Sequence, residues 1–453
     1  MKSFFFVSIF CLNFLFSSCK EEPTPTESPL ITDEATKDLT VEQKKVLNEL
    51  NMNITPINGA EASLASNDLS VLDKFADAAV IGVGEATHGT SEFFKMKHRL
   101  FKYFVEKHGF KIFGFEADMG ECIYIDRFIC NNFGTIDAAM SKMHFWTWKT
   151  QEVKDLILWM KQYNLGKSEN DKIHLLGVDC QYKDFNYFLV TEYLGKYKLT
   201  LPENLQKMLN DINQIKSEDI SSYSSLQRET YKNNCDSIYQ FFEKNKSQLI
   251  SSSSKFEFKL IQRLLVQTKQ FFDVMSKSSF NYRDKYMAEN TIWLTELLGA
   301  NTKVMQWAHN GHIAKDFTYA GSGSQGSYLS AEFASGYKTI GFSFNAGSFR
   351  AVGFNSQTNT YSGLTTHTIT KIHAQDSFNY LFRFTSNKNF ILVNSDITPN
   401  TVLHDWLSKK SKFFSVGAVY TDSYFDKYYY EYNLRTTFDA IIHFNTTTAA
   451  LAY

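Results

Sequence analysis

Six short apolar runs, each closed by a polar or charged cluster, constrain this chain more than any other feature: residues 79–83, 112–115, 173–178, 303–308, 339–344 and 390–393. A strand that is apolar on both faces must be covered on both, so these runs read as buried parallel strands beneath flanking helices. Between the first two, Phe94, Leu100, Phe101, Phe104 and Val105 recur at helical spacing within residues 91–107. Strand, helix and strand therefore follow in order, as in a βαβ unit. Residues 185–300 have longer helical periods, many Lys, Asn and Ser, and a serine run at 251–254. They read as a helical insertion. Strand-like runs return after Gly336, and Phe438-Asp439-Ala440-Ile441-Ile442-His443-Phe444 predicts a last strand. A histidine inside such a strand, His443, is expected to be a hydrogen-bonded core or edge residue rather than a ligand. The expected fold is α/β, with a mixed, mainly parallel sheet, helices on both faces and the helical insertion. A hydrophobic content of 43% is enough for the several layers this requires.

The first residues carry a different signal. Lys2, an apolar stretch from Phe4 to Phe16, and Ser17-Ser18-Cys19 give a basic start, an apolar core and small residues, which is the pattern of a secretory signal. Cys19 stands where lipoprotein signals place the acylated cysteine that becomes the new N-terminus. Lys20-Glu21-Glu22 after it resembles the export signal of surface lipoproteins in Bacteroidetes-type bacteria. Pro23, Pro25 and Pro29 among Thr, Ser and Glu show no apolar periodicity, so residues 20–40 are expected to be a flexible tether. The expected organisation is a signal over 1–19, the tether over 20–40 and a hydrolase-like domain over 41–453. The expected location is the cell envelope, held to the membrane by a lipid on Cys19. A net charge of −1 argues against nucleic acid as the main partner.

In open α/β sheets, side chains at the carboxyl ends of strands project into a crevice between loops. The acids and histidines of this chain collect there. Glu85 and His88 follow the first run in Gly84-Glu85-Ala86-Thr87-His88-Gly89, Glu116 ends the second, Asp179 ends the third, and His309 and His312 follow the fourth. Each has a plainer explanation. Glu85 suits the first turn of a helix, where the dipole favours an acid, His88 a loop, and Asp179 a turn. His309 and His312 can be two catalytic groups, two ligands, or one functional and one structural residue. Glu116 is the hardest to explain by structure alone, because a carboxylate closing an apolar strand is desolvated and needs a partner. Five such placements on one predicted face point to a single site.

Other motifs carry less. Gly321-Ser322-Gly323-Ser324-Gln325-Gly326 formally matches G-x-G-x-x-G, but residues 318–320 make a weak strand and no acid ends a strand about twenty residues on. It reads as a Gly/Ser loop entering a helix near residues 328–333. Cys122, Cys130, Cys180 and Cys235 show no C-x-x-C spacing. On one helix Cys122 and Cys130 would lie roughly 12 Å apart, too far for a disulfide, so buried free thiols are expected. Aromatic residues crowd 420–432, either lining a cleft or covering an edge. No Gly-x-Ser-x-Gly elbow occurs in the sequence, which disfavours an acyl-enzyme route through serine.

Gly84-Glu85-Ala86-Thr87-His88-Gly89, followed by Glu92-Phe93-Phe94-Lys95-Met96-Lys97-His98-Arg99, resembles the opening motif of the erythromycin esterases. The likeness continues in order through Phe115-Glu116-Ala117, Trp146-Thr147-Trp148, Gly177-Val178-Asp179, Arg283-Asp284, Met287-Ala288-Glu289-Asn290, Trp307-Ala308-His309-Asn310-Gly311-His312 and Phe438-Asp439-Ala440-Ile441-Ile442-His443. It covers roughly residues 45–450. The resemblance implies that His88 is a general base activating water, with Glu85 beside it and Glu116 and His309 completing the catalytic group. It further implies that His312 lines the site and that Arg283 and Lys97, which stands where some members carry arginine, are partners of the substrate or of the site's carboxylates; Asp179 is expected at the substrate site as a supporting residue or a turn former. A histidine near its reference pKa of ~6.5 can take a proton from water, and a neighbouring carboxylate stabilises the imidazolium.

The expected activity is therefore hydrolysis of a small-molecule ester or lactone by direct attack of water, without a cofactor. Two alternatives stand beside it. Glu85, His88, Glu116, His309 and His312 are all legitimate ligands for zinc or manganese, which would make a metal-dependent hydrolase, although no H-E-x-x-H motif supports it. The other alternative is a surface lipoprotein that binds or processes polysaccharide.

Overall fold

The computed structural model describes residues 39–276, 281–319 and 322–453. The signal, Cys19 and most of the tether lie outside the described residues, as does Gly321 of the glycine motif. Leu39 is buried, and Thr40 caps the helix Val41–Asn53 by accepting from the Gln43 amide while the Gln43 side chain accepts from the Thr40 amide. This reciprocal capping box satisfies two otherwise orphaned donors.

Ten strands form one sheet: β1 (Ile54–Pro56), β2 (Val80–Val83), β3 (Ile112–Asp118), β4 (His174–Asp179), β5 (Val304–Trp307), β6 (Tyr337–Asn355), β7 (Thr360–Ile369), β8 (Asn389–Val393), β9 (Val419–Tyr420) and β10 (Ala440–Thr447). Their order is β1-β8-β10-β6-β2-β5-β3-β4, with β7 and β9 paired to the long β6. From β10 to β4 every neighbour is parallel. The expected βαβ unit is present, but β5 lies between β2 and β3. One expectation fails. Residues 390–393 belong to β8, which runs antiparallel to both β1 and β10. A continuous apolar run reports that both faces are covered and carries no information on strand direction.

The period-two alternation of strands sorts side chains onto two cores. Val80, Ile112, Leu176, Val304 and Ile441 join one, beneath helices of the 185–300 region. Ile81, Val83, Phe113, Phe115, Leu175, Met305 and Ile442 join the other. Helices α1 (Ser91–His108), α2 (Met119–Asn131) and α3 (Gln151–Asn164) contribute to that second core. Each fully buried aliphatic or phenyl side chain contributes roughly 1.5–3 kcal/mol. Helix α1 turns Phe93, Phe94, Leu100, Phe101 and Phe104 inward and ends at Gly109, whose φ of 71° is the left-handed conformation that glycine adopts without steric cost.

The 185–300 region is helical, and two of its longest members are α4 (Lys255–Ser276) and α5 (Asn281–Leu297). It is not set apart from the sheet, because Asn290 of α5 donates to the Val178 carbonyl of β4. The glycine-motif region forms the short strand Ser322–Gly323 and then the helix Gln325–Phe333, capped by Ser324. Among the described residues the four cysteines are free. His443 lies inside β10, wholly buried, with Nδ1 2.6 Å from the Ser343 hydroxyl. The aromatic segment 420–432 packs internally: Tyr420 stacks on Tyr428, and Tyr429 meets Phe414 edge-on.

Candidate active site

The parallel strands deliver their carboxyl ends to one side of the sheet, and the site is assembled there. Glu85 and His88 lie in the loop between β2 and α1. Glu116 belongs to β3 and Asp179 closes β4, while His309 caps the short helix Asn310–Ile313 after β5. Two further groups come from α5, Arg283 and Asp284.

Glu85 is completely buried and accepts from three donors. Oε1 lies 2.6 Å from His88 Nδ1, while Oε2 takes the Lys97 ammonium at 2.6 Å and the Trp307 indole at 2.8 Å. Burial pushes its pKa up, but the Lys97 charge and the His88 contact outweigh it and hold the carboxyl below the usual range. Lys97 sits wholly buried on α1, one turn into the core, with its ammonium 4.3 Å from the Trp307 ring centre. Burial lowers its pKa to about 8, against the opposing pull of Glu85. A carboxylate with these donors is fixed in position and charge.

This arrangement defines His88. A carboxylate can only accept, so Nδ1 carries the proton and Nε2 keeps its lone pair. Among the described residues nothing hydrogen-bonds Nε2, and the side chain is 18% exposed. The loop itself is pinned by the Thr147 hydroxyl, which donates to the His88 carbonyl at 2.7 Å.

His309 faces His88 with ring centres 5.0 Å apart. Its own nitrogens are committed: Nδ1 accepts from the Gly311 amide at 3.3 Å, and Nε2 lies 3.2 Å from the Val416 carbonyl. Since a carbonyl cannot donate, Nε2 bears the proton. Burial, reinforced by the charges of His88 and His312, pushes the pKa of His309 down to about 3. Ser415 Oγ stands 3.1 Å from that Nε2, the spacing of a serine–histidine pair. The pair cannot act as nucleophile and base, because the nitrogen facing the hydroxyl is already protonated.

Glu116 anchors the other half. Oε2 accepts the His309 amide at 3.0 Å, and Oε1 lies 2.7 Å from the Arg283 guanidinium and 3.2 Å from His312 Nε2. Burial opposes its ionisation, yet His312, Arg283 and His88 hold its pKa well below the carboxylate range. Arg283 also grips Asp179 through two nitrogens, at 2.9 and 2.8 Å. His312 Nδ1 bonds Asp284 at 2.7 Å. Burial and the neighbouring Arg283 lower the His312 pKa, but Asp284 and Glu116 prevail and raise it to about 10.

The sequence-predicted residues thus converge. Lys97, expected as a partner of substrate or carboxylate, is wholly buried on the Glu85 carboxylate, and Asp179, wholly buried, supports Arg283. His312 is the more open of the expected substrate contacts, at 21% side-chain exposure. Glu85 and Glu116, which could serve as ligands for a divalent ion, accept from Lys97 and Arg283. Sequence reasoning missed Trp307 as a donor to Glu85, Asp284 behind His312, and the Ser415 and Val416 contacts to His309. Asp284 and Trp307 stood in quoted motifs, beside Arg283 and ahead of His309; Ser415 and Val416 carry no local signal.

Comparison with known proteins was made against this geometry. A family model described as erythromycin esterase matches residues 105–447. The chain is similar to the erythromycin esterase type II of Escherichia coli, 23% identical over 268 residues, covering 53% of this chain and 61% of that protein. The match thus spans less than two thirds of that relative. A solved structure from Bacillus cereus superimposes with a TM-score of 0.79 at 24% identity, covering 91% of this chain and 99% of that one. A mutant of the erythromycin esterase EreC in its open conformation gives a TM-score of 0.62 at 16% identity, covering 85% and 95%. The two structural likenesses bear on the fold alone.

Proposed function

Since the chain belongs to the erythromycin esterase family, we propose that it is a hydrolase that cleaves a small-molecule ester or lactone by direct attack of water on the carbonyl carbon. The observation that carries this reading is the Glu85–His88 pair: Nδ1 is tied to a buried carboxylate at 2.6 Å, while Nε2 has no hydrogen bond among the described residues and the side chain is 18% exposed. Water bound at Nε2 gives up a proton as its oxygen attacks, and Glu85 stabilises the imidazolium. The proton then passes to the leaving alkoxide, so His88 returns to its starting state. The cationic pair Arg283 and His312 beside Glu116 supplies positive field for the developing oxyanion. His309 remains neutral and keeps the neighbouring wall in place. No metal takes part in this scheme, and Ser415 is not acylated.

The test is a panel of esters, macrolactones and glycan esters, assayed with and without chelator. The expected outcome is turnover of at least one ester, insensitive to chelator and without an initial burst of alcohol. A burst equal to the enzyme concentration would show an acyl-enzyme and overturn direct attack. Glycan binding with no ester turned over would overturn the hydrolase reading itself.

We propose further that the chain resides in the cell envelope, anchored through a lipid on Cys19. The sequence pattern at residues 2–19 supports this.

A further inference from the structure

Outside the active site, helix α2 places Asp126 and Cys130 one turn apart on the same face, where side chains at i and i+4 project together. That face lies against the first residue of β4, His174. Asp126 Oδ1 is 3.1 Å from His174 Nδ1, Cys130 Sγ is 3.5 Å from the same nitrogen, and Sγ is 3.6 Å from the same oxygen. The three atoms form a nearly equilateral triangle, and the point equidistant from them is about 2 Å from each, close to zinc's bond lengths to nitrogen, oxygen and sulfur. A hydrogen-bonded chain of three residues needs only two contacts. Here the third side is closed as well.

We propose that Asp126, Cys130 and His174 form a binding site for a divalent cation of the zinc class, distinct from the active site.

The surroundings fit such an ion. Asp126 and His174 are nearly fully buried, and the Leu175 amide donates to Asp126 Oδ1 at 3.1 Å, which orients the carboxylate without using all its lone pairs. The Asn164 amide nitrogen lies 3.5 Å from Cys130 Sγ, a donor placed to support a thiolate. A cavity of about 500 Å³ borders all three residues, leaving room for a water as the fourth ligand. Glu169, Glu192 and Glu257 line the same cavity, where they pair with Lys172, Arg127 and Lys196. On binding, the metal–sulfur bond replaces the S–H bond, and the thiol proton leaves to solvent. Nothing is oxidised or reduced.

Strand β4 carries His174 at one end and Asp179 at the other, five residues away, about 16 Å along an extended chain. The site therefore joins α2 to the amino end of the sheet, while catalysis is placed at the carboxyl end. Its role is structural, fastening helix to strand.

The experiment uses the purified full-length chain, stripped with EDTA, desalted and then titrated with zinc or cobalt(II) chloride. We expect one equivalent of zinc per chain to survive gel filtration, a thiolate-to-cobalt charge-transfer band in the near ultraviolet, and a raised melting temperature with zinc. Cys130→Ser should abolish the band, and His174→Gln should weaken zinc retention at least tenfold, as loss of a supporting group typically does. Glu116→Gln should keep the full equivalent, separating this site from the active-site carboxylates. The proposal is overturned if wild-type protein retains no zinc, if cobalt binds without a thiolate band, or if Cys130→Ser and His174→Gln both retain zinc as wild-type protein does. The cobalt band is read on wild-type protein, so the test stands even where a variant fails to fold.

Discussion

His88 and His443 share a side chain and differ in surroundings, and that difference sets two opposite expectations. His88 presents an uncommitted Nε2 at an opening and adds little to either core. His88→Asn should leave the melting temperature within a degree or two while kcat falls on the order of 100-fold or more, the usual contribution of a positioned base. His443 is wholly buried, and burial pushes its pKa down to about 3. His443→Asn should instead cost about 1–3 kcal/mol of stability through the lost Ser343 contact and imperfect packing, with kcat in the folded fraction near wild type. Retained kcat in folded His88→Asn protein would sink the proposed mechanism. His312 adds a pH signature. Its folded pKa of about 10 lies above the unfolded value, so its stabilisation is complete below about pH 6.5 and is lost as pH rises towards 10. Lys97 runs the other way: its folded pKa of about 8 lies below its ordinary 10.5, so stability gains from it between those values. The difference in melting temperature between wild type and His312→Gln isolates the first effect. It should be largest near pH 6 and shrink steadily towards about pH 9.5; a constant difference would contradict the assignment.

At the scale of elements, the site depends on two junctions. The loop from β2 to α1 is pressed against β6: the Gly89 carbonyl accepts from the Arg350 amide at 3.0 Å and the Ala450 amide at 2.9 Å. A Cβ on Gly89 would stand 2.2 Å from the Arg350 carbonyl oxygen. Gly89→Ala must move the loop and His88 with it, so both outcomes are expected together: destabilisation of roughly 1–3 kcal/mol and a loss of turnover beyond tenfold. Denaturant melts and steady-state rates on one preparation check this, and unchanged turnover would show that His88 does not need that position. The second junction is Arg283, by which α5 grips the ends of β3 and β4 through Glu116 and Asp179. Arg283→Met leaves two buried carboxylates without their cation, which should cost about 3–5 kcal/mol in a denaturant melt. A loss below 1 kcal/mol would mean that water or neighbours replace the guanidinium.

At the scale of the molecule, the sheet separates two tasks. Catalytic groups gather at the carboxyl ends of its parallel strands, where loops leave side chains free. The amino ends meet helix termini and carry the Asp126, Cys130 and His174 triangle. The proposed attachment to the envelope falls on residues beyond the described fold. Among the described residues no helix is long and apolar enough to cross a membrane, and the proposed anchor does not require one. Cys19→Ala should move the protein out of the membrane fraction, as followed by fractionation and detergent partitioning, because the acyl chains can no longer be attached. Unchanged partitioning would count against the lipid anchor.

What the sequence determined by itself was whatever local periodicity encodes. Apolar runs at 79–83, 112–115, 173–178 and 303–308 marked the strands, and the acids and histidines after them marked the site, because a strand end fixes where the next side chains emerge. The helical character of 185–300 was legible for the same reason. Direction was not: residues 390–393 read as the other strands do, yet β8 runs antiparallel, since burial on both faces is all that composition records. Roles were not legible either. Lys97 was open between substrate and carboxylate and Asp179 between support and turn, and only the packing of α1 and α5 set them on Glu85 and Arg283. Whether His309 was a catalytic group, a ligand or a structural residue stayed open in the sequence; the Val416 carbonyl, 107 residues away, ties up its Nε2 in the fold. Cys130 looked like an inert thiol until His174, 44 residues on, closed the triangle. The state of a polar group depends on which distant donors and acceptors the fold brings within about 3 Å, and only the tertiary structure decides that.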